Sequence, residues 1–199
     1  MVSKETQQTS RSFQNWNEAE KVVEVIMDLQ RKSNGLAGTH QISGNDPWFS
    51  IHRVRVITFY QAQVELISYL LRTNGLNQIG VSTVDSSQGA EADLIVVSFV
   101  RTGELNRVGF LSDIRRLNVA LTRAKYKLIC IGNSKSLSQT QGSETATIRR
   151  LVQNARDRGA ITTTYQPNRR TSVRPSRSYP SNSFNHNGSR PFKRRRTGR

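Results

Sequence analysis

Cysteine is almost missing from this chain: Cys130 stands alone among 199 residues, which excludes an internal disulfide and predicts a buried, inert thiol within an apolar run. Long apolar runs are missing as well. Nothing approaches the roughly 18 residues of a membrane-spanning helix, and the opening MVSKETQQTSRSF has no apolar signal core. The expectation is a soluble intracellular chain with no membrane partner. Histidine is scarce, and neither His40 nor His52 has Cys or His partners at ligand spacing, so no metal site is read. Also absent are a G-x-x-x-x-G-K-S/T loop and an acidic strand behind it, so the chain shows no phosphate cradle or magnesium carboxylate of its own.

Acidic residues are in short supply: 14 Asp and Glu stand against 30 Lys and Arg, a net charge of +16. The imbalance is concentrated at the end. From Tyr165 to Arg199 there are 10 Lys and Arg and no Asp or Glu, among Ser, Pro, Asn and Gly with little to bury. Residues 166–199 are therefore predicted to be a disordered basic tail, because so few apolar groups cannot offset the entropy of ordering the chain. Its arginines, interleaved with Tyr165, Tyr179, Phe184 and Phe192, suit loose binding to RNA by charge and stacking. A solubilising tail without a dedicated partner is the other reading. Lys193 to Arg196, KRRR, reads as a nuclear-import patch, which suggests the nucleus over the cytoplasm.

Between the ends, helical and strand patterns alternate. Residues 1–14 are polar and read as a disordered segment ahead of a domain at 15–165. Asn17 to Leu29 reads as a helix, with Asn17 as cap, Glu20 completing an N-x-x-E capping box, and Ala19, Val22, Val23, Ile26 and Leu29 inward. Ser33 to Ser50 is glycine-rich and reads as a loop, where Trp48 and Phe49 seal a core edge or stack on a base. Val54 to Phe59 is a predicted strand and Tyr60 to Arg72 a helix closed by Gly75, with Val64, Ile67, Leu70 and Leu71 inward. Thr58 and Gln63 lie at this turn. Either they meet a nucleic-acid phosphate together with the free N–H groups of the helix start, or they serve as cap and packing. Ser143 to Arg158 is a further amphipathic helix stopped by Gly159, and Ile161 to Tyr165 a short final strand. The alternation predicts a three-layer, largely parallel α/β sheet with helices on both faces.

Two stretches carry the chemistry. Ile79 to Val84 and Leu94 to Val100 read as strands, and the polar loop between them holds Gln88, Gly89, Glu91 and Asp93. Gly89 allows close backbone approach, and Glu91 can accept a hydrogen bond from a ribose hydroxyl or hold an arginine. Thr83, at the end of the first of these strands, is a candidate for nucleic-acid contact. Arg101 is expected to pair with Asp85, Glu91 or Asp93. In the second stretch, Leu117, Ala120, Leu121 and Ala124 form one helical stripe, leaving Arg116 and Arg123 about two turns apart on another face. Lys127 to Ile131 follows as a buried strand. Arginines there either meet phosphate oxygens or line a solvated basic face.

VRVITFYQAQ at Val54 to Gln63, TVDSSQGAEAD at Thr83 to Asp93 followed by SFVR, and GFLSDIRRLNVALTRAKYKLICIGN at Gly109 to Asn133 resemble, in order and spacing, motifs IV, V and VI of superfamily 1 nucleic-acid helicases. The branch is that of the nonsense-mediated decay helicase, and the resemblance covers roughly Asn15 to Gly159. It implies the second RecA-like domain of a two-domain motor, with ATP in the cleft between domains and single-stranded RNA or DNA across their top. By that resemblance Arg123 is the arginine finger on the γ-phosphate, and Gln88, Gly89, Glu91 and Arg116 face the nucleotide. Thr58, Gln63 and Thr83 face nucleic acid, and the N-terminal RecA-like domain holds the phosphates and Mg²⁺. Phe59 stands where proline is usual and Ala90 where Arg or Lys is common, so no phosphate contact is carried over to residue 90. A non-catalytic remnant that binds nucleic acid or a protein is the alternative.

Overall fold

The computed structural model describes residues 6–7, 12–37, 50–87, 89–101, 113–143 and 145–162. Thr6–Gln7 (β1) pairs antiparallel with Phe13–Gln14 (β2), ahead of a long helix, Trp16–Ala37 (α1). Part of the segment predicted as disordered is thus a small hairpin. It is held because Phe13 packs edge-on against Tyr60 at 5.5 Å between ring centroids. Four parallel strands follow: Val54–Thr58 (β3), Gly80–Thr83 (β4), Ala92–Ser98 (β5) and Ala124–Ile131 (β6), in the spatial order β4-β3-β5-β6. The remaining helices are Gln61–Thr73 (α2), Ile114–Leu121 (α3), Ser134–Ser138 (α4) and Ala146–Asp157 (α5).

Strand alternation sorts the core into two halves. Val54, Val56, Leu94 and Val96 pack with Ala19, Val22 and Ile26 of α1 and Leu66, Ile67 and Leu71 of α2. Ile57, Ile95 and Val97 turn the other way, onto Leu117 and Ala120 of α3, Leu137 of α4, and Ile148 and Val152 of α5. Side chains one residue apart point to opposite faces, so these clusters are the two sides of one sheet, and the fold is the expected three-layer RecA-like α/β arrangement. Each fully buried Val, Leu or Ile here contributes about 2 kcal/mol through the water it sheds.

Several boundaries moved. The sequence reads N-W-N-E-A-E, so an N-x-x-E box fits at two registers. The helix takes the earlier one: Asn15, not Asn17, accepts the N–H of Glu18 at 3.2 Å. Asn15 wins because its own groups are tied into the protein, its side-chain amide donating to the Val100 carbonyl at 3.0 Å. At the other end α1 runs on to Ala37, past the predicted loop start, and Ser33 is buried. His40, Trp48 and Phe49 lie outside the described residues, as does the basic tail.

The strand predicted over Leu94 to Val100 ends at Ser98, because Val100 adopts φ +71, the left-handed region that a β-branched residue avoids. Gly75, also left-handed, closes α2 as expected, and the Leu76 N–H returns to the Leu71 carbonyl at 2.8 Å. The predicted last helix begins three residues late, at Ala146, since a short α4 that the apolar pattern did not signal comes before it. Ile161 and Thr162 are not in a strand, and residues 163–165 of the predicted last strand lie outside the described residues.

Candidate functional site

The parallel registers define two edges of the sheet. At the carboxyl edge Thr58 stands beside both Thr83 and Ser98; at the amino edge Ala92 stands beside Ala124. The sequence-predicted residues divide between them.

At the carboxyl edge the structure builds a buried polar cluster that the sequence did not announce. Glu18 extends its carboxylate under the end of β5, accepting the Ser98 hydroxyl and the Val100 N–H, each at 2.8 Å. Gln63 accepts the Asn15 N–H at 2.7 Å and donates to the Asn15 carbonyl at 3.2 Å and to the Ser98 hydroxyl at 3.1 Å. Thr58 donates to the Ser98 carbonyl at 3.0 Å. Every one of these side chains is buried. Thr58 and Gln63 therefore depart from the expectation of a surface phosphate contact: their polar atoms face inward. Thr58 does not cap α2 either. That cap comes from Ser12, whose hydroxyl accepts the Ala62 N–H at 3.0 Å. A signal for the cluster did exist in the polar residues Asn15, Glu18, Gln63 and Ser98, but their convergence is tertiary.

Beside this cluster lies Arg101, whose guanidinium carbon sits 4.3 Å from the centroid of the Phe13 ring. Of the expected partners Asp85, Glu91 and Asp93, the two aspartates are each met by another arginine. Asp93 lies within β5, not in the loop, and meets Arg53 at 3.5 Å. Asp85 meets Arg116 at 3.0 Å. Thr83 is half-buried at the carboxyl edge, its hydroxyl 2.9 Å from that of Ser86 in the one-turn helix that follows.

The chain then descends from β4 toward the amino edge of β5. Gln88 lies outside the described residues. Gly89 has φ +80 with open space where a Cβ would stand, and Glu91 is exposed one residue before β5. Here the arginine helix needs correcting. α3 stops at Leu121, Thr122 caps it through the Asn118 carbonyl, and Ala124 already belongs to β6. Arg116 and Arg123 consequently do not share a helix face. Arg116, in the first turn of α3, reaches the Asp85 turn above, while Arg123 lies at the amino edge, where its carbonyl accepts the Ala92 N–H at 3.1 Å. The helix yields there because a parallel strand beside Ala92 gives the Arg123 carbonyl a better partner than another turn. Arg123 is half-buried, and its Nε is buried with no hydrogen-bond partner among the described residues.

Strand β6 also differs from the buried run expected. It is an edge strand, and Lys125, Tyr126, Lys127 and Cys130 are exposed along it. The Cys130 thiol is nevertheless pushed from 9.0 up to about 11 by desolvation, because neighbouring protein atoms shed water from the sulfur itself. It is inert by protonation, not by burial of the whole residue.

A parallel sheet of this order, with Arg123 paired through its backbone to Ala92 at one edge and a buried polar cluster at the other, is a RecA-like α/β domain. The family model described as AAA domain matches residues 1–135, and the chain belongs to that family as a superfamily 1 helicase domain of the C-terminal type. It is 44% identical over 130 residues to an uncharacterized ATP-dependent helicase of Methanocaldococcus jannaschii, covering 65% of this chain and 16% of that protein. Regulator of nonsense transcripts 1 of Caenorhabditis elegans is 37% identical over 143 residues, 69% of this chain and 12% of that protein. The DNA replication ATP-dependent helicase/nuclease DNA2 of Mus musculus is 48% identical over 87 residues, 43% of this chain and 8% of that protein. The chain spans less than a fifth of the length of each of these relatives.

Proposed function

We propose that this chain is the second motor domain of an ATP-dependent RNA or DNA helicase, completing an ATP site whose phosphate loop and Mg²⁺ carboxylate lie on another domain. The observation that carries the reading is the place of Arg123. It follows the end of α3 at the amino edge, one strand away from the Gly89 to Glu91 turn, with a guanidinium nitrogen that has no hydrogen-bond partner among the described residues. On this reading Glu91 accepts a ribose hydroxyl and Gly89 lets the backbone approach, with Gln88 next to them in the sequence. Binding of ATP draws the domains closed, and cleavage of its phosphoanhydride lets them part again. Arg123 contributes planar N–H donors that hold charge developing on the transferred phosphoryl group.

Coupling between edges follows from α3. The helix, about 12 Å long at 1.5 Å per residue, is pinned near its start by the Asp85–Arg116 pair and stops at Leu121, two residues before Arg123. A push on Arg123 as the domains close is delivered to the turn after Thr83, where a single strand crosses the carboxyl edge. Thr83 contacts that strand directly, while Thr58 and Gln63 hold the edge in shape.

Arg123→Ala, made in the protein that carries the ATP-holding domain, is expected to lower the ATPase kcat by on the order of 10³-fold while binding of single-stranded oligonucleotide is retained. Steady-state turnover beside anisotropy binding is the measurement, and unchanged turnover removes the assignment. The alternative, a binding module without chemistry, draws on the missing phosphate loop and is favoured if the full-length protein binds oligonucleotide without any ATP turnover.

A further inference from the structure

Outside all three motifs, on the sheet face that carries α3, helices α4 and α5 enclose a shallow concavity of about 570 Å³ lined by Ser138, Ala146, Arg149, Arg150, Gln153 and Arg156. Three of the six are arginines and none is acidic. We infer that this groove is an accessory anchoring site for the phosphate backbone of a single-stranded nucleic acid, separate from the track across the carboxyl edge.

The arrangement follows from the helix. Ile148 and Val152 are buried against the sheet, which turns Arg149, Gln153 and Arg156, at i, i+4 and i+7, onto one stripe with Arg150 beside it. Arg149 braces the wall: its Nη1 donates to the Thr140 carbonyl at 2.7 Å and the Gly142 carbonyl at 3.0 Å, locking the α4–α5 turn. Arg156 is held by Gln153 at 3.2 Å, and Gln153 in turn by Asp157 at 2.6 Å, so the second guanidinium is oriented without an ion pair to a carboxylate. Arg150 is exposed. Guanidinium groups oriented by neutral acceptors, with the nearby carboxylate of Asp157 taken up by Gln153, match phosphate oxygens.

An extended polyanion is favoured over an acidic peptide patch because the basic character does not stop at the helix. Arg158 caps α5, and from Tyr165 onward the sequence adds 10 Lys and Arg without one Asp or Glu, interleaved with aromatics able to stack on bases. So strong a basic excess in the sequence favours a ligand that carries charge at every unit. The groove itself stands on its own geometry. The inference rests on the reading above only for the class of partner, and adds to that reading a grip that does not depend on ATP.

The test uses the whole 199-residue chain and a fluorescein-labelled 20-nucleotide single strand, followed by anisotropy across a salt series. Arg150→Glu with Arg156→Glu is expected to weaken binding on the order of tenfold and to reduce the slope of log K against log salt by about 1.4, two single-strand contacts at roughly 0.7 each. Arg150→Gln with Arg156→Gln, which repels nothing, is expected to give the same slope change with a smaller loss. In the unaltered chain, phenylglyoxal labelling of Arg150 and Arg156, read by mass spectrometry, is expected to fall when the oligonucleotide is added. Unchanged slope and labelling, with binding intact, overturn the groove and leave the helicase reading standing. Loss of affinity for oligo-glutamate alone, with the oligonucleotide unaffected, also overturns it in favour of an acidic protein partner. No oligonucleotide binding by the unaltered chain defeats the shared partner class as well.

Discussion

At the scale of single residues, the unusual feature is how much of the carboxyl edge rests on buried polar side chains. Val100 keeps a left-handed backbone at a cost of roughly 1–2 kcal/mol for a residue with a Cβ. What offsets it is the Glu18 carboxylate on the Val100 N–H and the Asn15 amide on its carbonyl. Removing the Asn15 side chain takes away the acceptor of the Glu18 N–H and the donor to the Val100 carbonyl and the Glu18 carboxylate, so Asn15→Ala is expected to cost about 2 kcal/mol or more, a fall in Tm of roughly 4–8 °C. Asn17→Ala, at the register the sequence also allowed, is expected to cost under about 0.5 kcal/mol. Paired thermal melts check this, and equal shifts would mean that the cap is not where the hydrogen bonds place it.

Cys130 makes a second prediction at this scale. Desolvation holds its thiol protonated to about 11 against the ordinary 9.0, so the proton is retained longer in the folded chain. The thiolate fraction in the folded state should therefore keep rising tenfold per unit through pH 9 to 10 and level off only near 11. Iodoacetamide labelling rates followed by mass spectrometry are expected to trace that curve, and a plateau at pH 9 would contradict it. Denaturant should move the curve down toward the ordinary value.

At the scale of elements, α3 is a strut, and its upper anchor is the exposed pair between Asp85 and Arg116. A pair of this kind contributes little to stability, under about 1 kcal/mol once solvent screening is counted. Asp85→Ala is thus expected to leave Tm within about 3 °C. In the protein that carries the ATP-holding domain, the same change should reduce nucleic-acid stimulation of ATPase several-fold while the unstimulated rate holds. A melt and paired ATPase assays decide it; equal loss of both rates would mean that the pair serves the nucleotide edge itself. The elements were largely legible where an apolar period meets a stop signal. Ala19 to Ile26 and Ile67 with Leu71 face inward as their spacing requires, and Gly75 and Gly159, both left-handed, end their helices. Legibility failed at Ala124, where helical spacing continued on paper but a strand neighbour competed for the backbone.

At the scale of the whole molecule, the sheet separates two groups of polar residues, with Arg123 and Glu91 at one edge and Thr83 and the Glu18 cluster at the other. The chain by itself is expected to show no ATP turnover, since its sequence holds no phosphate loop, while binding single strands with an affinity that falls steeply with salt. Measurable turnover by the purified 199-residue chain would require a phosphate cradle that none of its motifs describes. What the order of residues determined unaided was the three-layer class, the alternation of the main strands and helices apart from the small hairpin and α4, and the motif letters, because local periodicity and turn chemistry are written in neighbouring positions. Only the tertiary structure decided that Arg116 and Arg123 part company, that Thr58 and Gln63 turn inward, and that Asn15 outcompetes Asn17. Each of those outcomes depends on a hydrogen-bond partner that stands far away in the sequence or in another element, and no window of adjacent residues contains that partner.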